Sequence, residues 1–246
     1  MSNTGTAVKL KAAWANQVAS SGTEKIISPI GDATFSTSQV KFGSSSMYFD
    51  GTGDYLRIPK TSDFNWTSSD FTIESWVYMN SMPATSDFHV LGQFLGSTSG
   101  NPSGCYIYQS GAVACGRAGL NQIASSAGEL TTGQWYHVAW VKNGSTTKIY
   151  KNGTEIASAT TAVWVDHANE INIGKGTDSL NGYLDEIRVS NTARYTANFT
   201  PSTTAFTSDA NTGLLIHSDY NNTQTQVAQN LGTIIATTSN PNTATT

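Results

Sequence analysis

The chain has 246 residues, a formal net charge of −4, only 12 % charged residues, and many Gly, Ser, Thr and Asn. That balance suits an all-β chain with long turns, and the length is within reach of a single all-β core rather than two small domains. The lack of a basic cluster argues against nucleic acid as a partner, and the lack of any apolar run near the ~20 residues of a bilayer helix argues against membrane insertion.

Residues 1–30 are weakly patterned, with short apolar stretches at Val8-Lys9-Leu10 and Ile26-Ile27. Met1-Ser2-Asn3-Thr4 is not a charged segment leading into an apolar one, so no export signal is expected. Ordered structure is expected from near Phe42. Alternating runs bounded by turn residues predict strands over 46–50, 54–58, 70–79, 88–94, 105–109, 112–117, 135–142, 146–151, 154–158, 170–174 and 181–189. The clearest signal is the run from Trp135 to Lys142, followed by Asn143-Gly144, a polar strand, and Asn152-Gly153. Asn-Gly supplies the positive φ of tight hairpins, so this stretch reads as an antiparallel meander. After Pro201 the chain is Ser, Thr, Asn and Asp until a late strand candidate, Leu214-Leu215-Ile216-His217-Ser218-Asp219. The organisation expected is a segment 1–30, a sandwich 31–220 that includes the strand at 214–219, and a polar tail 221–246.

Cys105 and Cys115 flank a Gln109-Ser110-Gly111 turn that would set them opposite each other. A cross-strand disulfide and two small buried thiols are both open, the first requiring an oxidising setting.

Four stretches in order resemble the laminin-G-like group of concanavalin-A-like domains, its bacterial and phage branch in particular. They are 42–56 (Phe-Gly-Ser-Ser-Ser-Met-Tyr-Phe-Asp-Gly-Thr-Gly-Asp-Tyr-Leu), 70–78 around Glu74, Ser75 and Trp76, the stretch from Gly133 to Ile156, and 180–189 with Leu184-Asp185-Glu186-Ile187. The resemblance implies a jelly-roll β-sandwich of two antiparallel sheets, which the strand count favours independently. Family members commonly open with a strand resembling Leu-Leu-Leu-His-Phe-Asp-Gly, and here the nearest match is the late segment 214–219. That strand is expected to close the sheet in cis, in place of a first strand at 7–11, with donation to a neighbouring subunit as the alternative.

Enzymatic members of this fold carry paired carboxylates on one strand, because a retaining glycosidase needs them about 5 Å apart. Glu74 is alone on its strand, and strand periodicity would point Asp185 and Glu186 to opposite faces. The histidines His89, His137, His167 and His217 have no metal-ligand spacing, and no Gly-x-Ser-x-Gly elbow or P-loop occurs. His137 reads as a hydrogen-bonded structural residue. The chain is therefore expected not to be an enzyme.

The resemblance also implies a structural calcium, a hard cation that takes carboxylate and carbonyl oxygens. The candidates are Asp50, Asp54, Asp185 and Asp219, with Asp219 near Asp185, although Asp and Gly are also ordinary turn residues. Along 71–78, one face reads Phe71, Ile73, Ser75, Val77 and the other Thr72, Glu74, Trp76, Tyr78. Either the sheet is covered on both sides, or Glu74, Trp76 and Tyr78 form a sugar-stacking platform. The expectation is a non-enzymatic structural or recognition component of a phage virion or extracellular assembly, forming homo-oligomers or contacting other assembly subunits. The alternative is a glycan-binding lectin or adhesion module, calcium-assisted, with a cell-surface glycan as ligand; an endoglycosidase is the third reading.

Overall fold

The computed structural model describes residues 27–219 except 62, 63, 68, 94–102, 118–121, 161, 163 and 167–169. The strand candidate at 7–11, the tail 221–246 and His167 lie outside the described residues. In chain order the strands are β1 (Ser28–Ile30), β2 (Thr34–Ser36), β3 (Ser46–Asp50), β4 (Tyr55–Ile58), β5 (Phe71–Met79), β6 (Asp87–Gly92), β7 (Ser103–Tyr108), β8 (Val113–Arg117), β9 (Ile123–Ala124), β10 (Trp135–Asn143), β11 (Thr146–Lys151), β12 (Thr154–Ala159), β13 (Ile171–Ile173), β14 (Asn181–Ser190) and β15 (Thr212–Ile216). Among the described residues no helix is long and apolar enough to cross a membrane.

The strands form two antiparallel sheets, as the alternating pattern predicts. One has the order β1-β4-β13-β6-β7-β8-β9; the other runs β12-β11-β10-β5-β14-β3-β2, with β15 also paired to β14. Between them lies one apolar core. Met47, Phe49, Ile73, Val77, Val138, Trp140 and Leu184 from the eight-stranded sheet meet Leu56, Ile58, Val90, Ile107, Val113 and Ile171 from the seven-stranded one. Burying each such side chain contributes roughly 1.5–3 kcal/mol. Trp140 also donates its indole N–H across the core to the Ala114 carbonyl at 3.0 Å, so its polar atom is satisfied.

Structure starts earlier than Phe42, because β1 pairs with β4 and β2 with β3. These three-residue strands, one containing Pro29, are too short to show alternation and owe their conformation to their partners. The meander forms as expected with one shift. At the second turn Asn152 and Gly153 both have positive φ (48° and 81°), but the first turn opposes Asn143 to Thr146. Gly144 (φ 59°) and Ser145 are therefore its two loop residues, with Gly in the first position.

Two features shape the outer face of the eight-stranded sheet. The first is a bulge in β14: Asp185 opposes Trp76 and Arg188 opposes Glu74, so Glu186 and Ile187 together face Ser75. Glu186 adopts φ 51°, which costs about 1 kcal/mol for a residue with a Cβ. Its effect is to turn Asp185 and Glu186 to the same outer face while Ile187 stays in the core. The expectation that these carboxylates point oppositely is thus overturned by the bulge.

The second feature is the return of residues 191–211 across that face. Ala193, Tyr195 and Phe199 pack on Ala139, Val141 and Tyr150, and Phe206 packs on Trp76 and Leu215. The Phe199 amide donates to the Gly153 carbonyl, and a Cβ at Gly153 would overlap the Phe199 carbonyl oxygen. The strap ends in β15, which lies along the second half of β14, while β3 occupies the first half. The late strand therefore sits in its own chain's sheet, as Thr212–Ile216 rather than 214–219.

Candidate binding face

Under the strap, Glu74 is fully buried and its carboxylate is saturated by internal donors. Arg188 donates to Oε1 through Nε at 2.8 Å and through a terminal nitrogen at 2.7 Å. The Tyr195 hydroxyl donates to Oε2 at 2.9 Å, and His137 Nε2 lies 3.1 Å from the same oxygen. Burial alone would raise the Glu74 carboxyl, but the His137 hydrogen bond and the Arg188 charge outweigh it and hold the group below its ordinary value. Glu74 therefore cannot face a ligand.

Trp76 is covered too. It is 7 % exposed, with Phe206 and Leu215 against it, Phe42 edge-on at 5.8 Å, and the Lys41 ammonium 3.8 Å above its ring. Of the two alternatives the sequence leaves open, the covered sheet holds at Glu74 and Trp76, because the strap and the loop around Phe42 occupy the face above them; the platform reading is corrected for those two residues, and Tyr78 remains half-buried.

Next to the cluster of Trp76, Phe206 and Leu215, against which Trp135 also packs, the outer face carries further rings. Register places Tyr48 of β3 beside Tyr183 of β14, Tyr183 beside Tyr78 of β5, and Tyr78 beside Trp135 of β10. Successive ring centroids are 5.0, 5.8 and 5.6 Å apart, each ring tilted or edge-on to the next. Tyr48, Tyr78 and Trp135 are half-buried around a buried Tyr183. The result is an aromatic row running across four strands. Of its members the sequence singles out only Tyr78 as a binding residue. The missing signal was parity: each of Tyr48, Tyr183 and Trp135 precedes an inward residue, Phe49, Leu184 and Tyr136.

At the Tyr48 end lie three carboxylates, Asp32, Asp50 and Asp54, whose oxygens fall within 4.8 Å of one another. Asp54 is completely buried; its oxygens accept the amides of Asp32 at 2.8 Å and Asp50 at 3.0 Å. Burial, opposed by those amides and reinforced by its acidic neighbours, raises the Asp54 carboxyl above its ordinary value. Three convergent carboxylates are a donor set that can hold a cation. Of the four residues expected to bind metal, Asp50 and Asp54 come together here with Asp32, which the sequence did not single out.

Asp185 and Asp219 lie elsewhere and serve one loop. Asp185 Oδ2 accepts the amides of Lys41 and Phe42 at 3.2 and 3.1 Å. Asp219 Oδ1 accepts those of Ser44 and Ser45 at 2.6 and 3.4 Å. Family resemblance placed them near each other, and they do hold adjacent parts of the 41–45 loop. Among the described residues, however, the acidic group that converges is the other one. Burial first, and the neighbouring Glu186 charge, push Asp185 up to about 8. Glu186 accepts the Phe206 amide at 2.6 Å and contacts His217 at 2.9 Å, which raises His217 above its ordinary value.

Two antiparallel sheets facing each other across one core define an all-β sandwich. The chain belongs to the concanavalin A-like lectin/glucanases superfamily, whose family profile matches residues 50–199. Similar solved structures include the binding domain of botulinum neurotoxin serotype D, with TM-score 0.53, 10 % identity, and coverage of 77 % of this chain and 50 % of that one. The serotype G binding domain aligns with TM-score 0.51 and 12 % identity over 72 % of this chain and 46 % of its own. Domain 4 of AbnA, an extracellular arabinanase from Geobacillus stearothermophilus solved with arabinotriose, aligns with TM-score 0.49 and 17 % identity over 69 % of this chain and 83 % of that one. The chain thus spans about half the length of the two toxin domains. No curated protein matches it in sequence.

Proposed function

We propose that the protein is a non-enzymatic glycan-recognition module that binds carbohydrate on the aromatic row Tyr48–Tyr183–Tyr78–Trp135. The row carries the reading: adjacent half-buried rings give apolar faces for sugar C–H groups, with hydroxyl and indole donors at the margin. For the covered part of the face a non-catalytic role is supported by its own carboxylates, since Glu74, Asp185 and Glu186 are buried and engaged by internal donors. Tyr78→Ala, outside the apolar core, is expected to weaken binding to glycan-array hits by roughly tenfold or more, equivalent to about 1.4 kcal/mol, without changing the melting temperature greatly. Unchanged affinity in both Tyr78→Ala and Trp135→Ala would sink the reading.

The cation at Asp32, Asp50 and Asp54 is proposed to be calcium, structural for the turn between β3, which carries Tyr48, and β4. A hundredfold excess over its dissociation constant should stabilise by about 2.7 kcal/mol, a rise in melting temperature of roughly 5–10 °C. Asp32→Asn should remove that rise; a calcium-independent melting curve would count against the ion.

A virion or extracellular particle as the setting is the finer reading. Seating of β15 in its own sheet supports a self-contained module over one that donates this strand. A defined oligomer in light scattering would return weight to the assembly role, and a monomer with a glycan ligand to the lectin role.

A further inference from the structure

Cys105 on β7 and Cys115 on β8 are direct partners in the ladder, and both side chains are completely buried in the core between the sheets. Antiparallel neighbours alternate between hydrogen-bonded and non-hydrogen-bonded pairs, and only in the latter do the side chains approach closely. The Tyr108 amide donates to the Ala112 carbonyl at 2.9 Å, which makes residues 108 and 112 a hydrogen-bonded pair. The register back to Ser103–Arg117 has no shift, so Tyr106–Ala114 and Gly104–Gly116 fall in the same class. Cys105–Cys115 is then a non-hydrogen-bonded pair, with a Cα separation of about 4.5 Å. A disulfide spans Cα separations of about 4.4–6.8 Å.

We propose that Cys105 and Cys115 form a cross-strand disulfide when the chain folds in the presence of a disulfide oxidant, and that the folded dithiol form cannot acquire it. In the unfolded chain one thiolate attacks oxidised glutathione, forming a mixed disulfide and releasing one glutathione thiolate. The second cysteine thiolate attacks the protein sulfur of that mixed disulfide and releases the other glutathione. Two protein thiols are oxidised, one glutathione disulfide is reduced to two thiols, and the two protons pass to the leaving thiolates. Once the sheets close, neither sulfur is reachable. Burial, and for Cys105 also the nearby Cys115, pushes both thiols well above their ordinary value and suppresses the attacking thiolate. The redox state of the pair therefore records the compartment in which the chain folded.

The test uses the full chain, unfolded and reduced, then refolded either in a glutathione redox buffer or in excess reductant. Each sample is denatured, alkylated with iodoacetamide and weighed intact. The oxidised refold should be unalkylated and two hydrogens lighter than the dithiol chain, and should melt on the order of 5 °C higher. Exposing already folded dithiol protein to the same buffer should leave both thiols alkylatable after denaturation. Cys105→Ser refolded alongside should show Cys115 free or glutathionylated. Two free thiols, mixed disulfides or interchain dimers in the oxidised wild-type refold would overturn the pairing, as would an intramolecular bond that lowers the melting temperature. Ready oxidation of the folded dithiol would overturn the kinetic lock.

Discussion

Replacing Glu74 with alanine should destabilise the protein by about 3–5 kcal/mol, the cost of leaving a buried cation without its counter-charge. For a domain of this size that corresponds to a fall of roughly 10–15 °C in melting temperature. The loss extends over two layers. Arg188 retains the Thr207 carbonyl at 3.4 Å and a ring contact with Phe206 at 4.1 Å, but the carboxylate oxygen that takes two of its N–H groups is gone. The Tyr195 hydroxyl loses the carboxylate that binds the strap to the sheet. Residues 191–211 should accordingly become the first site of limited proteolysis. A double variant, Glu74→Leu with Arg188→Met, should recover much of the loss, because apolar replacement of both members of a buried pair is often neutral or better. The check is a denaturant titration of the four corners of that cycle. Additive losses would mean that Glu74 and Arg188 do not depend on each other.

What was legible in the chain was whatever rests on local period. Strands β3 to β8 and β10 to β14 announce themselves by alternation and turn chemistry, and their bounds come out within two residues. The outer face was not legible, for three physical reasons. Residues 191–211 are polar, with Tyr195, Phe199 and Phe206 too widely spaced to suggest that they cover a sheet. The bulge at Glu186 needs a left-handed backbone in a residue that carries no sign of it, and period-two reading fails on its far side. The aromatic row exists only once β3, β14, β5 and β10 are set in register, because its members come from four separate stretches. Asp32 was hidden likewise, since a Gly-Asp turn before Phe42 has no local feature that assigns it to Asp50 and Asp54.

Stability should fall as pH rises from about 4 to about 8, and Asp185 is the reason. Its carboxyl, ordinarily at 3.8, is pushed up to about 8 in the folded protein. A raised folded value means that the native state holds a proton the unfolded chain releases. The stabilisation is complete below about pH 4 and is lost as pH climbs through the folded value. At most the slope is ~1.4 kcal/mol per pH unit, so the loss across the window is several kcal/mol. The groups that face Asp185 shape the curve. Glu186 opposes its ionisation, whereas the amides of Phe42, Lys41 and Glu186 favour it, as does the Lys41 ammonium, itself held below its ordinary value chiefly by burial. His217, raised by its hydrogen bond to Glu186, adds loss of the same sign above its own ordinary value of 6.5. Glu74 acts oppositely: held low, it contributes stability that disappears only as pH falls below about 4.5. A stability maximum in mildly acidic solution follows from these opposed signs. Asp185→Asn keeps an oxygen for the Lys41 and Phe42 amides and removes the ionisation, so its profile between pH 5 and 8 should be flatter than wild type. Urea melts at pH 5.5 and 8 for both chains test this. Equal slopes in the two would move the pH dependence away from the β14 bulge, leaving His217 as the group to replace next.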